Sequence, residues 1–150
     1  MPHFGLIKEG IAPDEEALIR AKLHMRSGDI RMRKGELSDA IASYYDAFSS
    51  AMLRFFVSDV LRKKYFLPDS VDITDDHALF LILKEKGVIN DSFTDVHFHQ
   101  IETLLEAAFE GWVEKCDYHT VLTRLDSVMK QLDIIPILPG EVPDENSVTL

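Results

Sequence analysis

Histidines beside carboxylates are the residues of this chain best suited to metal chemistry. Three of them invite a metal-site interpretation: His97, His99 and His119. Neutral imidazoles and carboxylates are good ligands for zinc, nickel or iron. On a helix, His97 shares the apolar face with Ile101, whereas the side chain of His99 projects about 160° away and aligns with Glu102. His99 and Glu102 supply at most two ligands, so the sequence favours a packed His97, a solvated His99 and no cofactor, with a metal-binding helical bundle as the second alternative.

A row of acidic side chains follows His99 on the same predicted helix. Its members are four residues apart: Glu102, Glu106, Glu110 and Glu114. Like charges at this spacing destabilise a helix by about 0.2 to 0.5 kcal/mol per pair. We therefore interpret His99 and these four glutamates as an acidic ridge that meets basic residues, either within a homodimer or on a partner protein. A solvated polar face is the alternative interpretation.

The charge and the cysteine content narrow the classes of function. The net charge is -10, which argues against a generic nucleic-acid binder because affinity for phosphates comes mainly from lysine and arginine. Positions 1–66 hold eleven Lys/Arg against nine Asp/Glu (net +2), whereas positions 67–150 hold five against seventeen (net -12). A single cysteine, Cys116, can form neither an internal disulfide nor a zinc cluster, which favours the cytoplasm. No secretory signal and no membrane-spanning run is recognisable.

The hydrophobic pattern predicts one all-α domain, an up-down bundle of about five helices over residues 14–133. The first helix is expected to begin after Pro13 and to run to about Lys34, where Gly35 stops it. The second follows after a short link and is expected to end near Lys63, so the bundle opens with a long antiparallel helical hairpin. Residues 1–13 are interpreted as a leader and residues 134–150 as a flexible C-terminal tail.

Three further segments complete the predicted bundle. Ala78 to Leu83 fits either a buried strand or a buried helix. Asp75 or Asp76 as a cap, and Gly87 beyond the end, favour a helix. The next segment is the clearest amphipathic helix, whose expected buried face is Ile101, Leu104, Leu105, Ala108, Phe109 and Trp112. The last helix begins near Tyr118, and Pro136 stops it.

The hairpin, over about residues 17–50, resembles a tetratricopeptide unit. The spacing of its small and aromatic residues carries the likeness: Gly28, Gly35, Ala40, Tyr44 and Ala47. No second copy follows at a 34-residue period, and a solenoid needs about three repeats. A broader resemblance, over about residues 17–133, is to the HEPN family of helical bundles. It rests on the hairpin, on His77 through Leu83, and on Cys116 to Tyr118 followed by the final amphipathic helix.

The HEPN resemblance implies a dimeric bundle that accompanies nucleotidyltransferases or other partner proteins and sometimes holds nucleotides. Active HEPN ribonucleases resemble one another in an arginine followed, after four to six residues, by a histidine. The nearest match here is Arg20 and His24, with only three residues between them, so the ribonuclease motif is not intact. In a nucleotide- or RNA-handling member of this group, Arg20, His24 and Arg26 would line a phosphate-binding groove at the dimer seam.

Together these patterns predict a non-enzymatic helical domain that acts through protein–protein contacts. The expected assembly is a homodimer that binds a further protein through a helix face and charge complementarity. A HEPN-like protein that handles nucleotide or RNA is the first alternative to this function.

Overall fold

The computed structural model describes residues 10–142, and these form an all-α bundle, as the sequence predicts. The six helices are α1 (Pro13–Arg33), α2 (Leu37–Val57), α3 (Asp59–Lys64), α4 (Asp76–Glu85), α5 (Asp95–Glu110) and α6 (Tyr118–Gln131), with a 3-10 turn at Val113–Lys115. Within residues 10–142 there is no strand. The greater part of the predicted leader and the end of the predicted tail lie outside the described residues.

The predicted hairpin of α1 and α2 is confirmed, and its two helices approach very closely. Fully buried alanines on both helices, among them Ala21 and Ala47, form the contact. Gly28 faces the Tyr44 ring so closely that a Cβ at position 28 would lie 2.6 Å from it. The Tyr44 hydroxyl donates a hydrogen bond of 2.6 Å to Asp29 Oδ1, which joins the two helices beside this contact. The small residues of the hairpin therefore set the distance between its helices.

The second predicted helix is divided in two, and this accounts for six helices where about five were expected. α2 ends at Val57, and α3 begins at Asp59 after Ser58 adopts an extended backbone. The Ser58 hydroxyl accepts a hydrogen bond from the backbone N–H of Leu61 at 3.2 Å, so Ser58 is the N-cap of a new helix. The expectation of one helix that continues to Lys63 was wrong because the apolar pattern continues through this cap.

The ambiguous apolar segment at positions 78–83 is helical and lies in α4. Asp75 caps this helix by accepting a hydrogen bond of 3.1 Å from the backbone N–H of Ala78. Lys86 and Gly87 end it, and Gly87 has a φ of +77° that favours glycine. The flanking residues, rather than the apolar run itself, therefore identify this segment correctly.

Four phenylalanines join α2, α4 and α5 at the centre of the core, and we call them the phenylalanine cluster: Phe48, Phe80, Phe93 and Phe98. The Phe80 and Phe98 rings stack with centroids 4.8 Å apart. Phe93 meets both Phe48 and Phe80 in edge-to-face geometry, at 5.9 and 5.8 Å. Such pairs contribute about 0.5 to 1.5 kcal/mol each beyond the area they bury. The cluster therefore fixes the first turns of α4 and α5 beside each other.

The buried face of α5 differs from the predicted one at its C-terminal end. Ile101, Leu104 and Ala108 are buried as expected. Phe109, however, is 75% exposed, and Ala107 takes its place in the core. The prediction for Phe109 was wrong because α5 buries the stripe formed by positions 104, 107 and 108. Position 109 lies beyond the edge of this stripe, so its side chain points away from α2.

The first part of the predicted tail lies against the bundle. Ile134 is buried in the main core, and Val142 packs with Leu23 of α1. The Lys22 ammonium group donates to Glu141 at 2.9 Å, which joins the tail to α1. Residues 134–142 therefore cover one side of α1. No helix within residues 10–142 has the length and apolar character needed to cross a membrane.

The close approach of α1 and α2 yields a test of the hairpin. We expect Gly28→Ala to lower the free energy of unfolding by about 1 to 3 kcal/mol, because the new methyl group must displace the Tyr44 ring. Elsewhere in a helix interior the same change stabilises by about 1 kcal/mol. Urea denaturation measures the difference. In a Tyr44→Leu background the substitution should be neutral or stabilising, and a penalty that persists there contradicts the proposed steric cause.

Candidate functional site

Two histidines and an aspartate from different helices meet at one edge of the bundle, and we call them the histidine cluster: His77, Asp95 and His99. His77 Nε2 lies 2.7 Å from Asp95 Oδ1, and His99 Nε2 lies 3.4 Å from Asp95 Oδ2. One ligand atom from each residue lies within 4.8 Å of the other two. The Asp95 carboxylate thus bridges two imidazoles across the α4–α5 contact.

The sequence-based prediction counted His99 and Glu102 alone, which supply at most two ligands. It counted residues on one helix only, whereas His77 belongs to α4, and Asp95 lies one turn before His99 on α5. Glu102 does contact His99 as predicted, with Oε1 2.8 Å from His99 Nδ1. His119 lies on α6, outside this group.

Hydrogen bonds to α2 hold the first turn of α4, and with it His77, in place. The Asp76 carboxylate accepts from the Tyr45 hydroxyl at 3.0 Å and from the Ser49 hydroxyl at 2.7 Å. The ring of His77 lies over Phe98, with centroids 5.1 Å apart. The position of the His77 imidazole is therefore set by polar contacts beside it and an aromatic contact beneath it.

A capping box fixes the first turn of α5. The His97 backbone N–H donates to Thr94 Oγ1 at 3.4 Å, and His97 Nδ1 accepts from the Thr94 backbone N–H at 3.0 Å. His97 is half-buried, as its predicted packing requires, and burial lowers the pKa of its imidazole. This arrangement places Asp95 at the first position of the helix, where a carboxylate is favoured by the helix dipole.

The electrostatics around the histidine cluster are dominated by carboxylates. The hydrogen bond from His77 holds the pKa of Asp95 below its usual range, and His99 adds to this effect. On α2, burial raises the pKa of Asp46, and the nearby charge of Asp76 raises it further. Burial also raises the pKa of Tyr45, as do the charges of Asp76 and Glu102. Asp76 and Glu102 therefore add negative charge at this edge, whereas Arg124 and Lys84 act on His97 with positive charge.

An open groove of about 430 Å³ lies between α5 and α6, next to the histidine cluster. We call it the α5–α6 groove, and its lining residues are Val96, His99, Gln100, Thr103, Leu104, Cys116, Asp117, Thr120, Val121 and Arg124. Arg124 Nη1 donates to Gln100 Oε1 at 2.9 Å and joins the two helices at one end of the groove. Val96 is 64% exposed, so part of the apolar lining is open to solvent.

The acidic ridge is shorter than predicted. Glu102, Glu106 and Glu110 lie on α5, but the helix ends at Gly111, and Glu114 lies in the 3-10 turn beyond it. Glu110 Oε2 accepts a hydrogen bond of 2.6 Å from the Trp112 indole. Glu106 is exposed on the same stripe of α5 as His99 and Thr103, which line the groove. The ridge therefore borders the α5–α6 groove.

The candidate phosphate-binding residues of α1 occupy different surroundings. His24 is only 2% exposed. Arg20 forms an ion pair of 2.6 Å with Glu16, and Arg26 Nη1 donates to the Val142 carbonyl oxygen at 3.5 Å. Arg26 also lines a cavity of about 360 Å³ beneath the tail, but Arg20 and His24 do not contribute to its lining.

Comparison with known proteins gives no relative to compare with this site. No model of a protein family matches the chain, and no curated protein or solved structure matches it. The likeness to HEPN bundles and to a tetratricopeptide unit accordingly stays a prediction from the sequence.

Two features of the site were missed in the sequence. His77 was considered only as part of a middle helix, yet it follows two aspartates at a helix start, where side chains project beyond the end of the helix. The sequence contains no local signal for the α5–α6 groove, because its two walls come from separate segments, positions 96–104 and positions 116–124. Only the packing of the helices brings these walls together.

The bridge between His77 and Asp95 gives a test by titration. We expect His77→Gln to raise the pKa of Asp95 towards its ordinary value, because the principal hydrogen bond that favours the ionised carboxylate is weakened. A depressed pKa in the folded state stabilises the fold above the ordinary pKa of aspartate, and the effect is lost as pH falls through the folded pKa. Carbon-13 NMR of the Asp95 carboxyl carbon measures this pKa.

The matched control is His119→Gln, which changes an exposed histidine of α6. This control should leave the Asp95 titration unchanged. An Asp95 pKa that is the same in wild type and His77→Gln would show that the bridge does not form in solution.

Proposed function

We propose that this chain is a non-enzymatic interaction domain that binds a basic amphipathic helix of a partner protein in the α5–α6 groove. The observation that carries the proposal is the groove itself, an open and partly apolar trough between two helices with carboxylates along its border. Grooves of this kind bind the apolar face of a helix through side chains spaced three or four residues apart.

The shape of the groove supports a helical occupant. Its α5 wall runs from Val96 to Leu104, which corresponds to about 12 Å, or two turns of a bound helix. Val96 and Val121 supply apolar contacts from opposite walls. A partner helix that lies along the groove buries apolar surface. Each Å² removed from water contributes roughly 25 cal/mol of transfer free energy.

The charge around the groove supports a basic occupant. Asp117 lines the α6 wall, Glu106 stands beside the α5 wall, and Asp95 and Glu102 contact His99 at its edge. Arg124 is the single Lys/Arg among the lining residues, and it is already hydrogen-bonded to Gln100. Lysines or arginines that flank an apolar stripe would complement this border and would accelerate association.

A second copy of the chain is the alternative occupant, because a homodimer is also expected from the sequence. The basic residues of α1 would then face the acidic ridge, for example Lys22 and Arg33. Lys22, however, already forms an ion pair with Glu141. The nucleotide-handling alternative needs Arg20, His24 and Arg26 on one open surface, and the burial of His24 counts against it.

A designed peptide pair tests the occupant of the groove. The probe is an 18-residue helix with leucines at positions i, i+3, i+4 and i+7 of each repeat and lysines on its flanks, and its counterpart carries glutamates instead. We expect the lysine peptide to bind at least about tenfold more tightly, a difference of about 1.4 kcal/mol, because the border of the groove is acidic. Fluorescence anisotropy at low salt measures both affinities.

The control compares two threonines that are both exposed on helices. Thr103→Arg places a large cation inside the groove and should weaken the lysine peptide by about tenfold or more. Thr123→Arg adds the same charge on α6 outside the groove lining and should have little effect. Equal effects of the two substitutions, or no peptide binding, would overturn the proposal. Concentration-dependent dimerisation that only Thr103→Arg abolishes would replace it with the homodimer.

The acidic ridge gives a separate prediction. We expect Glu106→Gln combined with Glu110→Gln to weaken the lysine peptide and to reduce the salt dependence of its affinity, since screening acts on exposed charges. Each exposed pair contributes about 0.2 to 1 kcal/mol, so the loss should be a few-fold. Sedimentation or anisotropy from 50 to 500 mM salt measures it. An unchanged salt dependence in the double variant would leave the ridge as a solvated polar face.

A further inference from the structure

We propose that the histidine cluster binds a divalent first-row transition ion, with Zn²⁺ as the probe of choice, through His77 Nε2, an Asp95 carboxylate oxygen and His99 Nε2. Two imidazoles and one carboxylate match the ligand preference of zinc, cobalt, nickel and ferrous iron, whereas magnesium and calcium prefer oxygen ligands alone. This site shares His99 with the lining of the α5–α6 groove, and Asp95 and Glu102 contact His99 at the edge of that groove. Metal binding and helix binding are nevertheless measured by separate experiments.

The distances within the cluster are close to those that coordination requires. Ligand atoms that bind a tetrahedral ion at about 2.0 to 2.1 Å lie about 3.3 Å apart. In the structure, Asp95 oxygens lie 2.7 Å from His77 Nε2 and 3.4 Å from His99 Nε2. All three ligand atoms lie within 4.8 Å of one another, so small rotations about side-chain bonds bring them to one ion. Their side chains are 36%, 52% and 55% exposed, which leaves room for these rotations.

Glu102 supplies the outer contact that histidine ligands usually have. Its Oε1 lies 2.8 Å from His99 Nδ1, the ring nitrogen that faces away from Asp95. A carboxylate at Nδ1 fixes the imidazole tautomer with the proton on that nitrogen and directs the lone pair of Nε2 towards the ion. Glu102 is therefore a positioning residue, and its loss should cost about 10- to 100-fold in affinity.

The backbone around the cluster is rigid enough to hold the ligands. His77 lies in the first turn of α4, which Asp76 ties to α2 through Tyr45 and Ser49. Asp95 and His99 occupy successive turns of α5, which begins with a complete capping box. The two helix starts meet over the phenylalanine cluster, where Phe80 and Phe98 are stacked. Ligands on packed helices are held more precisely than ligands on loops.

The charge balance also favours a cation. The Asp95 carboxylate offsets one of the two charges of the ion. Glu102 contacts His99, and Asp76 directly precedes His77, so both add negative charge beside the cluster. Three protein ligands leave a fourth position that faces solvent, so a water molecule completes the coordination. The alternative explanation is that the imidazoles merely bridge two helix ends by hydrogen bonds to Asp95, and such a bridge would give no saturable metal binding.

Two measurements on protein that carries no histidine tag test the site. They are isothermal titration calorimetry with Zn²⁺ and the visible absorption spectrum with Co²⁺. We expect one ion per chain, and visible Co²⁺ bands of the intensity typical of four-coordinate sites. His77→Ala and His99→Ala should each reduce the affinity by about 100-fold or more, while Glu102→Gln should show the smaller loss expected of an outer contact. Circular dichroism of each variant confirms that the helices are retained.

The matched control is His119→Ala, which removes an exposed histidine from α6 and should leave both measurements unchanged. Asp95→Asn provides a second ligand variant in which the side chain keeps its size and its helix position. Zn²⁺ binding no tighter than the millimolar range, or losses in His77→Ala and His99→Ala no larger than in His119→Ala, would overturn the proposal.

Discussion

The phenylalanine cluster joins the beginnings of α4 and α5 through ring contacts in the core. Phe80 and Phe98 stack face to face, and Phe93 fills the space between them and α2. These rings are at most 1% exposed. Because both helices begin at this contact, the polar residues of their first turns must meet at the adjacent surface. The geometry of the histidine cluster is thus a consequence of how apolar side chains fill the core.

The residues that begin α4 and α5 contribute to structure and to chemistry at once. Asp76 satisfies the hydroxyls of Tyr45 and Ser49, and its charge in turn raises the pKa of Asp46. Asp95 sits at the favourable end of a helix dipole and bridges two imidazoles. Burial is the main cause of the raised pKa of Asp46, and the charge of Asp76 adds an electrostatic repulsion between the two carboxylates. A cation or a basic partner at the same edge would relieve it.

The sequence predicts the helices well where apolar spacing and caps agree, and less well where tertiary packing decides. α4 was recognised from Asp75 and Gly87, although its apolar run fits a strand as well. The break at Ser58 was missed because the apolar pattern continues through it. Ser58 followed by Asp59 is nevertheless a helix N-cap signal, which the spacing of apolar residues does not show. Phe109 was wrongly predicted to be buried, because an amphipathic pattern does not show how wide the buried face of a helix is. The histidine cluster joins residues 18 and 22 positions apart, so only the packing of α4 against α5 reveals it.

The α5–α6 groove follows from an imbalance in how α5 is covered. α5 packs more extensively on α2 than on α6, and its buried Phe98 contacts Phe48 of α2. On the other side, Gln100 accepts a hydrogen bond from Arg124, and the exposed Thr103 and Thr120 line the groove from α5 and α6. Half-buried Val121 and the buried Leu104 then form the base of the groove. Larger apolar residues at positions 103 and 120 would fill part of the groove, so the small polar side chains at these positions help to keep it open.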